Sequence, residues 1–481
     1  MKSLFARSLS VVVILSMLFS TASATCGGGG GGGMGGMAPG GSGAGAQQQV
    51  YYVPWKLAKP QDQPAGGLVV YWFPSSPEEL QRSSLRVSRP LSLYASQCVA
   101  MEVAEPTSDF RTKLAAEDKL PVAVLATPEG TVVSKLENKN GMLKVEDLEK
   151  LLSTEMKRRE DALDSKLKEA KETAKENKEA AIPLYRSVAD QKCMFPKKAK
   201  DAAKELKKLG VEVGEIAAPP VFDAKKSAEI EGVMQNGLTA ELNGKYLEAE
   251  HLYQQAHLMD PADPTPLRYL GETYRHYTGE WDKARTIFES ILKMQSDPMS
   301  RAVALHGLGK MTIHQGDFAK GLSLMEQSVN TYPLALAYRN LAVYWNSEGD
   351  ATKADHYIHE ALAVDPNDAY NLVFAAAFMA GNGHGDEALK IAGKNEALLP
   401  ASYNLAAIYA QTGHRDKALA LLKRHFFEYE RFQAVRAEEM MEARVDAVFA
   451  SIRQDPDFVA LTKGSDGKLD ASQIMTHPPA H

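Results

Sequence analysis

Three cysteines, Cys26, Cys98 and Cys193, are the only thiols in the chain, and no two of them are separated by two residues. That spacing excludes a zinc ribbon and a dithiol redox motif, both of which need paired thiolates on neighbouring turns. Cys98 and Cys193 either form one disulfide in an oxidising compartment or stay as two buried thiols, and the sequence leaves both open. His356 and His359 stand three apart, a spacing that suits one metal, but no third ligand is near and they read as surface histidines. Asp466-Gly467-Lys468-Leu469-Asp470 lacks the alternating oxygen ligands and closing glutamate of a calcium loop, and it reads as part of a polar tail over 464–481. No GxSxG, HExxH or kinase-like set occurs. No catalytic residue, metal or cofactor is therefore expected.

Such a chain must act through the surfaces its elements present. Its 481 residues, 44% hydrophobic and 24% charged, are enough for two or three globular domains. A net charge of −6 gives no basic face for phosphates, so nucleic acid is not an expected partner. Lys2 and Arg7, an apolar run from Leu9 to Phe19 and Ala22-Ser23-Ala24 read as a signal peptide over 1–24. The run is too short for a permanent membrane helix. Residues 25–49 form a glycine-rich tether without GxxxxGK[ST], so its glycines are not a phosphate-binding loop. Cys26 stands where a lipid-anchored cysteine with a flexible tether would. However, Thr25 precedes it where Gly, Ala or Ser is usual, so simple cleavage is the preferred reading and lipidation the alternative. Either way the protein is expected to be exported, periplasmic or extracellular, with a membrane contact only through a lipid at Cys26.

Residues 50–156 alternate short apolar runs (Gly67–Phe73, Gln97–Val103, Val122–Leu125, Gly130–Val133) with helix-like segments from Pro77 and from Ser108 to Lys119, and a helix from Leu143 to Leu152 closes them. This order resembles the thioredoxin fold. The segment running from Lys119-Leu120-Pro121 through Val122–Ala126 to Thr127-Pro128-Glu129-Gly130-Thr131 is similar to that family's proline, central strand and hairpin. The resemblance implies a cis proline at Pro121. Where the family carries its CxxC, this chain reads Phe73-Pro74-Ser75-Ser76-Pro77, and a serine hydroxyl cannot carry out disulfide exchange. Residues 157–222 read as a charged helical spacer and linker. Met156, Leu163, Leu167, Ala170 and Ala174 follow heptad spacing with small side chains, which predicts a solvated connecting helix rather than a coiled-coil dimer, ended by Pro183. Two short helices divided by Pro196 follow, and Ala217 to Pro220 reads as a linker.

From about Lys226 the chain repeats itself. Gly244, Gly279, Gly316, Gly349, Gly383 and Gly413 each stand five residues before a small residue: Ala249, Ala284, Gly321, Ala354, Ala388 and Ala418. The glycine gaps are 35, 37, 33, 34 and 30. Tyr253, Ala256 and Pro261 follow the first glycine, and Ala354, Ala361 and Pro366 recur in the fourth unit. Leu270-Gly271, Leu308-Gly309, Leu341-Ala342 and Leu405-Ala406 supply a Leu-small pair. The pattern resembles tetratricopeptide repeats over 223–425, with a pair of capping helices over 426–463. The expected architecture is thus multidomain: an α/β thioredoxin-like domain followed by an all-α tetratricopeptide-repeat solenoid. The third unit departs in having Gly321 for alanine, and the fifth in a short second helix.

In that family partners usually lie along the first helices of successive units. Carried over unit by unit, the resemblance places Arg268, Glu272, Arg275, Lys310, Arg339, Asn340, Asn346, Asn404 and Gln411 in the groove. Four of the nine are basic, which suits an acidic or C-terminal-carboxylate peptide. The expected function is an exported, non-enzymatic scaffold or adaptor for a protein or peptide. A redox protein using Cys98 and a self-associating assembly protein are the alternatives.

Overall fold

The computed structural model describes residues 51–59, 67–138, 140–211, 222–429 and 433–463. The segments read from the sequence as a signal peptide, a glycine-rich tether with Cys26, a linker at Ala217–Pro220 and a polar tail lie outside them. The described chain divides into two compact units, one up to Gly232 and one from Val233.

The first unit is built on a five-stranded sheet: β1 (Lys56–Leu57), β2 (Leu68–Phe73), β3 (Val99–Val103), β4 (Val122–Ala126) and β5 (Val132–Glu137), in the order β1-β3-β2-β4-β5. β3 runs parallel to both β1 and β2, while β4 is antiparallel to β2 and to β5. Every residue of β2 and β4 is buried, so continuous apolar runs rather than alternation mark these central strands. Helices α1 (Pro77–Arg82), α2 (Arg89–Ala95) and α3 (Asp109–Leu114) lie between the strands. The Leu120–Pro121 peptide bond is cis. Cys98 and Cys193 are joined, with their Cα atoms 5.8 Å apart, which resolves the two alternatives in favour of the disulfide.

Two expectations are corrected here. The closing helix and the spacer are one helix, α4 (Val145–Glu176), which does not stop at Pro183. It stops at Asn177, whose extended backbone breaks the helix and whose Oδ1 accepts from Ala180 N, capping α5 (Lys178–Ala189). Pro183 sits inside α5, where its ring sacrifices only one backbone hydrogen bond. The heptad stripe is not solvated either. Leu163, Leu167 and Ala170 bury against Ala181, Tyr185 and Val188 of α5 and against Ala202 and Leu206 of α6 (Pro196–Lys208), so helices of the same chain cover it.

The second unit is a stack of hairpins. Its helix pairs are α7 (Ala224–Leu242, entering from the first unit's stretch of sequence) with α8 (Tyr246–Met259), α9 (Thr265–Glu272) with α10 (Trp281–Lys293), and α11 (Pro298–His314) with α12 (Phe318–Thr331). They continue as α13 (Ala335–Ser347) with α14 (Ala351–Val364), α15 (Ala369–Gly381) with α16 (Gly385–Asn395), and α17 (Tyr403–Gln411) with α18 (Arg415–Arg424). The glycine between the members of each pair adopts a left-handed φ of 70 to 94°, a conformation that costs other residues energy. Asp297, Asp317, Asp350, Asp368 and Ser402 cap the helices that follow them.

The departures from the repeat have local causes. Gly321 faces Gly309 so closely that a Cβ on it would lie 2.7 Å from the Gly309 carbonyl oxygen, and an alanine has no room there. Phe288 of α10 inserts between Gly271 of α9 and Gly307 of α11, and a Cβ at either glycine would overlap its ring. The long spacing to Gly279 coincides with a π-helical turn at Thr273–Thr278, the usual way a helix absorbs an extra residue.

After α18 come a π-helical turn (His425–Tyr429), α19 (Gln433–Val445), a 3-10 turn (Ala447–Phe449) and α20 (Pro456–Lys463). Phe426, Phe449 and Phe458 join the core made by Tyr403, Leu421 and Leu422, which covers the apolar face of the last hairpin.

Candidate partner-binding groove

The nine residues assigned to the groove all lie on first helices or on the π-turn that extends α9, but they differ in what they do. Asn346 is exposed and Gln411 half-buried, while the other seven are buried. Several of the buried ones bridge successive hairpins. Arg268 Nη1 donates to Ser300 Oγ at 3.2 Å, from α9 to α11. Asn340 Nδ2 meets His306 Nε2 at 2.8 Å, from α13 to α11. Arg339 donates to Asn371 Oδ1, from α13 to α15, and Gln411 Nε2 to the Ala377 carbonyl at 3.0 Å, from α17 to α15. The inner face is therefore stitched by a polar ladder, since buried polar groups need partners. Asn404 is buried on α17.

Glu272 and Arg275 form a buried, two-point ion pair, with Nη2 to Oε2 at 2.5 Å and Nε to Oε1 at 3.3 Å. Around it gathers a basic cluster that the sequence pattern does not assemble. His276 and His306, both fully buried, are pushed well below the ordinary imidazole value. Loss of solvation is the main cause, and Arg275 and Lys310 add to it in both cases. Both imidazoles are thus neutral at pH 7. Arg339 adds further positive potential at His306, and His425 does so at His276. Nearby, burial pushes the Glu241 carboxyl up to about 7 although Tyr253 and Tyr277 donate hydroxyls to it at 2.6 and 3.2 Å.

Helix α19 reads in the sequence only as part of a cap, yet it packs against the Thr273–Thr278 turn. Its buried face carries Arg436, Glu439, Met440, Glu442 and Ala443, while Ala437, Met441 and Val445 are exposed. Glu439 Oε2 lies 2.7 Å from His425 Nε2, and Glu442 Oε1 lies 3.8 Å from His314 Nδ1. Both ring nitrogens of His425 face oxygen, the other meeting the Ala401 carbonyl at 3.1 Å, so the His425–Glu439 pair holds a proton between them. The Arg436 guanidinium sits 5.4 Å above the Phe427 ring. No periodicity argument points to α19 here, because a charged helix face ordinarily reads as solvated.

His356 and His359 are exposed, paired at most with Glu360 and Asp355 of their own helix. In the first unit, Ser75 and Ser76 serve the local fold. Ser76 Oγ accepts from Glu79 N at 3.2 Å, and the Glu79 carboxylate accepts from Ser75 N at 3.3 Å, a reciprocal cap of α1. Burial raises Glu79 to about 7, against the hydrogen bonds from Ser75 and Trp72. With Cys98 in a disulfide, the thiol that a redox reading requires is engaged.

No family model matches the chain. It is 30% identical over 125 residues to "Protein CTR9 homolog" of Arabidopsis thaliana, covering 25% of this chain and 11% of that protein. It is 30% identical over 87 residues to the Photosystem I assembly protein Ycf3 of Rippkaea orientalis (strain PCC 8801 / RF-1), covering 18% of this chain and 50% of that protein. The chain thus spans half or less of the length of these relatives. Among solved structures, a thermophilic TPR protein of Thermus thermophilus is 20% identical, with a TM-score of 0.32 over 38% of this chain and 99% of that one. A tetratricopeptide repeat protein from Parabacteroides merdae ATCC 43184 is 15% identical, with a TM-score of 0.30 over 58% and 98%. The paired helices, their left-handed glycines and the small residues at their crossings make the second unit a solenoid of the tetratricopeptide repeat type.

Proposed function

We propose that the protein is an exported interaction scaffold whose tetratricopeptide-type hairpins hold a protein or peptide partner along their first helices. The observation that carries this reading is the cationic cluster of Arg275, Lys310 and Arg339 around the neutral imidazoles of His276 and His306, set on consecutive first helices and the turn that extends α9. Such a cluster suits carboxylates. Ycf3 is named as an assembly protein, a role of the same kind. The first unit is a thioredoxin-like module without the exchange chemistry. Its strand order, the cis proline before β4 and the serines at the start of α1 support that assignment. The Cys98–Cys193 disulfide supports export, since such bonds persist in oxidising compartments.

The test is affinity capture from a native envelope or culture extract with the mature protein, beside Lys310→Met. That substitution keeps the stem of the side chain and removes its charge. A partner held by the wild type and lost by the variant, with unchanged thermal unfolding, supports the groove. A partner held equally by both removes it.

A further inference from the structure

We infer that α19 is the groove's internal occupant, and that the partner is a protein segment entering as an acidic helix in exchange for it, two carboxylates three residues apart replacing Glu439 and Glu442. This inference rests on the groove reading above and names its partner class and its regulation.

The first argument is the orientation of α19. A helix held by the hydrophobic effect turns its apolar side inward. Here Arg436, Glu439 and Glu442 point in, while Met441 and Val445 face solvent at 54 and 39% exposure. Among the described residues of α19, Met440 and Ala443 are the apolar side chains it adds to the neighbouring core. Taking charges out of water offsets most of what their pairing returns, so such a seam holds its helix weakly and exchanges it readily.

The second argument is complementarity. Residues i and i+3 share a helix face, so Glu439 and Glu442 present a fixed pair of carboxylates. They meet His425 at 2.7 Å and His314 at 3.8 Å, and α19 lies against the turn that carries Arg275 and His276. Arg275 and Lys310 supply cations at His276 on that turn, and Arg339 adds a third at His306 of α11, with Glu272 as the acid paired to Arg275. The groove is therefore built for an acidic helix, and α19 displays the chemistry it accepts.

The third argument is anchorage. Phe426 before α19 and Phe449 after it are fully buried in the last hairpin's core. Arg415 fixes the chain further on by pairing with Asp455, Nε to Oδ2 at 2.6 Å, and with Asp457. Both flanks are held independently, so departure of α19 withdraws Met440 and Ala443 from this core and leaves Phe426, Phe449 and Phe458 in it.

A fluorescein-labelled peptide of residues 433–446 tests this by anisotropy against three full-length mature chains: the wild type, Glu439→Gln/Glu442→Gln, and that double variant with Lys310→Met added. If α19 fills the groove in the wild type, the peptide sees only the open fraction, and it is expected to bind the double variant about tenfold tighter or better. Adding Lys310→Met is expected to return about tenfold of that gain. Equal binding to the wild type and the double variant, or no binding to the double variant, overturns the inference. Hydrogen exchange on the wild-type protein guards against a variant that misfolds. Amides of α19 are expected to exchange about tenfold faster or more than those of α17, and equal rates overturn the proposal. The two readings fail separately. A partner that Lys310→Met still captures removes the groove reading, whereas a partner lost from that variant while the peptide fails to bind removes the exchange alone.

Discussion

Within one stretch of the second hairpin, Gly271 makes room for the Phe288 ring, and the next turn along carries Glu272, Arg275 and His276 into a seam with charged neighbours. The first contact is decided by shape: a ring fills the space left by two missing Cβ atoms, and its area is removed from water. The second is decided by charge, and every group in it gives up hydration to be there. The two seams lie a few residues apart, so differences in helix propensity do not separate them. What separates them is whether burial stabilises the contact or opposes it.

The largest expected effect breaks the shape-based seam. Phe288→Ala empties a site bounded by backbone at Gly271 and Gly307, which cannot collapse far, and should cost about 3–5 kcal/mol by urea unfolding. A loss below about 1 kcal/mol would mean that the ring is not what joins these hairpins.

Next in size is the charged seam with one partner removed. Arg275→Met leaves Glu272 buried at 8% side-chain exposure with its two-point partner gone, an arrangement that costs about 3 kcal/mol. The same unfolding measurement checks it, and a neutral result would show that water reaches the carboxylate.

How far these seams are legible in the sequence follows from the same contrast. The hairpins are legible because each left-handed turn demands a glycine, and Gly244 through Gly413 mark the turns at nearly constant spacing. Gly321 is visible as an anomaly, but its reason lies in Gly309, a residue on another helix. The groove residues fall on the expected helices, yet a sequence does not reveal that Arg339 and Asn340 reach across to Asn371 and His306. α19 is illegible in a different way, since Arg436, Glu439 and Glu442 form the pattern of an exposed face. Pro183 misleads because it is a strong breaker, and Asn177 has already ended the helix six residues earlier.

Glu241 offers a pH-dependent measure of what buried charge costs. Its folded value of about 7 lies above the ordinary 4.5, so between those two values the folded state binds more protons than the unfolded chain. Stability from this group is full below about pH 4.5, falls as pH rises through about 7 and is level above that. The loss is on the order of 3 kcal/mol. Glu241→Gln should remove this component of the pH dependence and exceed the wild type in stability at pH 8. Parallel curves for the two proteins across pH 4.5–8 would mean that Tyr253 and Tyr277 already stabilise the carboxylate fully.

The smallest expected effect separates the two seams most sharply. Glu272→Met with Arg275→Met replaces the whole ion pair by side chains of similar length, and the double variant should lie within about 1 kcal/mol of the wild type. No double substitution could do the same for Phe288, because the contact it makes is itself the stabilising term. If the double variant is as unstable as Arg275→Met alone, the charges hold the hairpins together, and α19 is a structural strut rather than an exchangeable occupant. If it is near neutral, the fold does not depend on this ion pair, and recognition of another charged helix is left as the work the pair does.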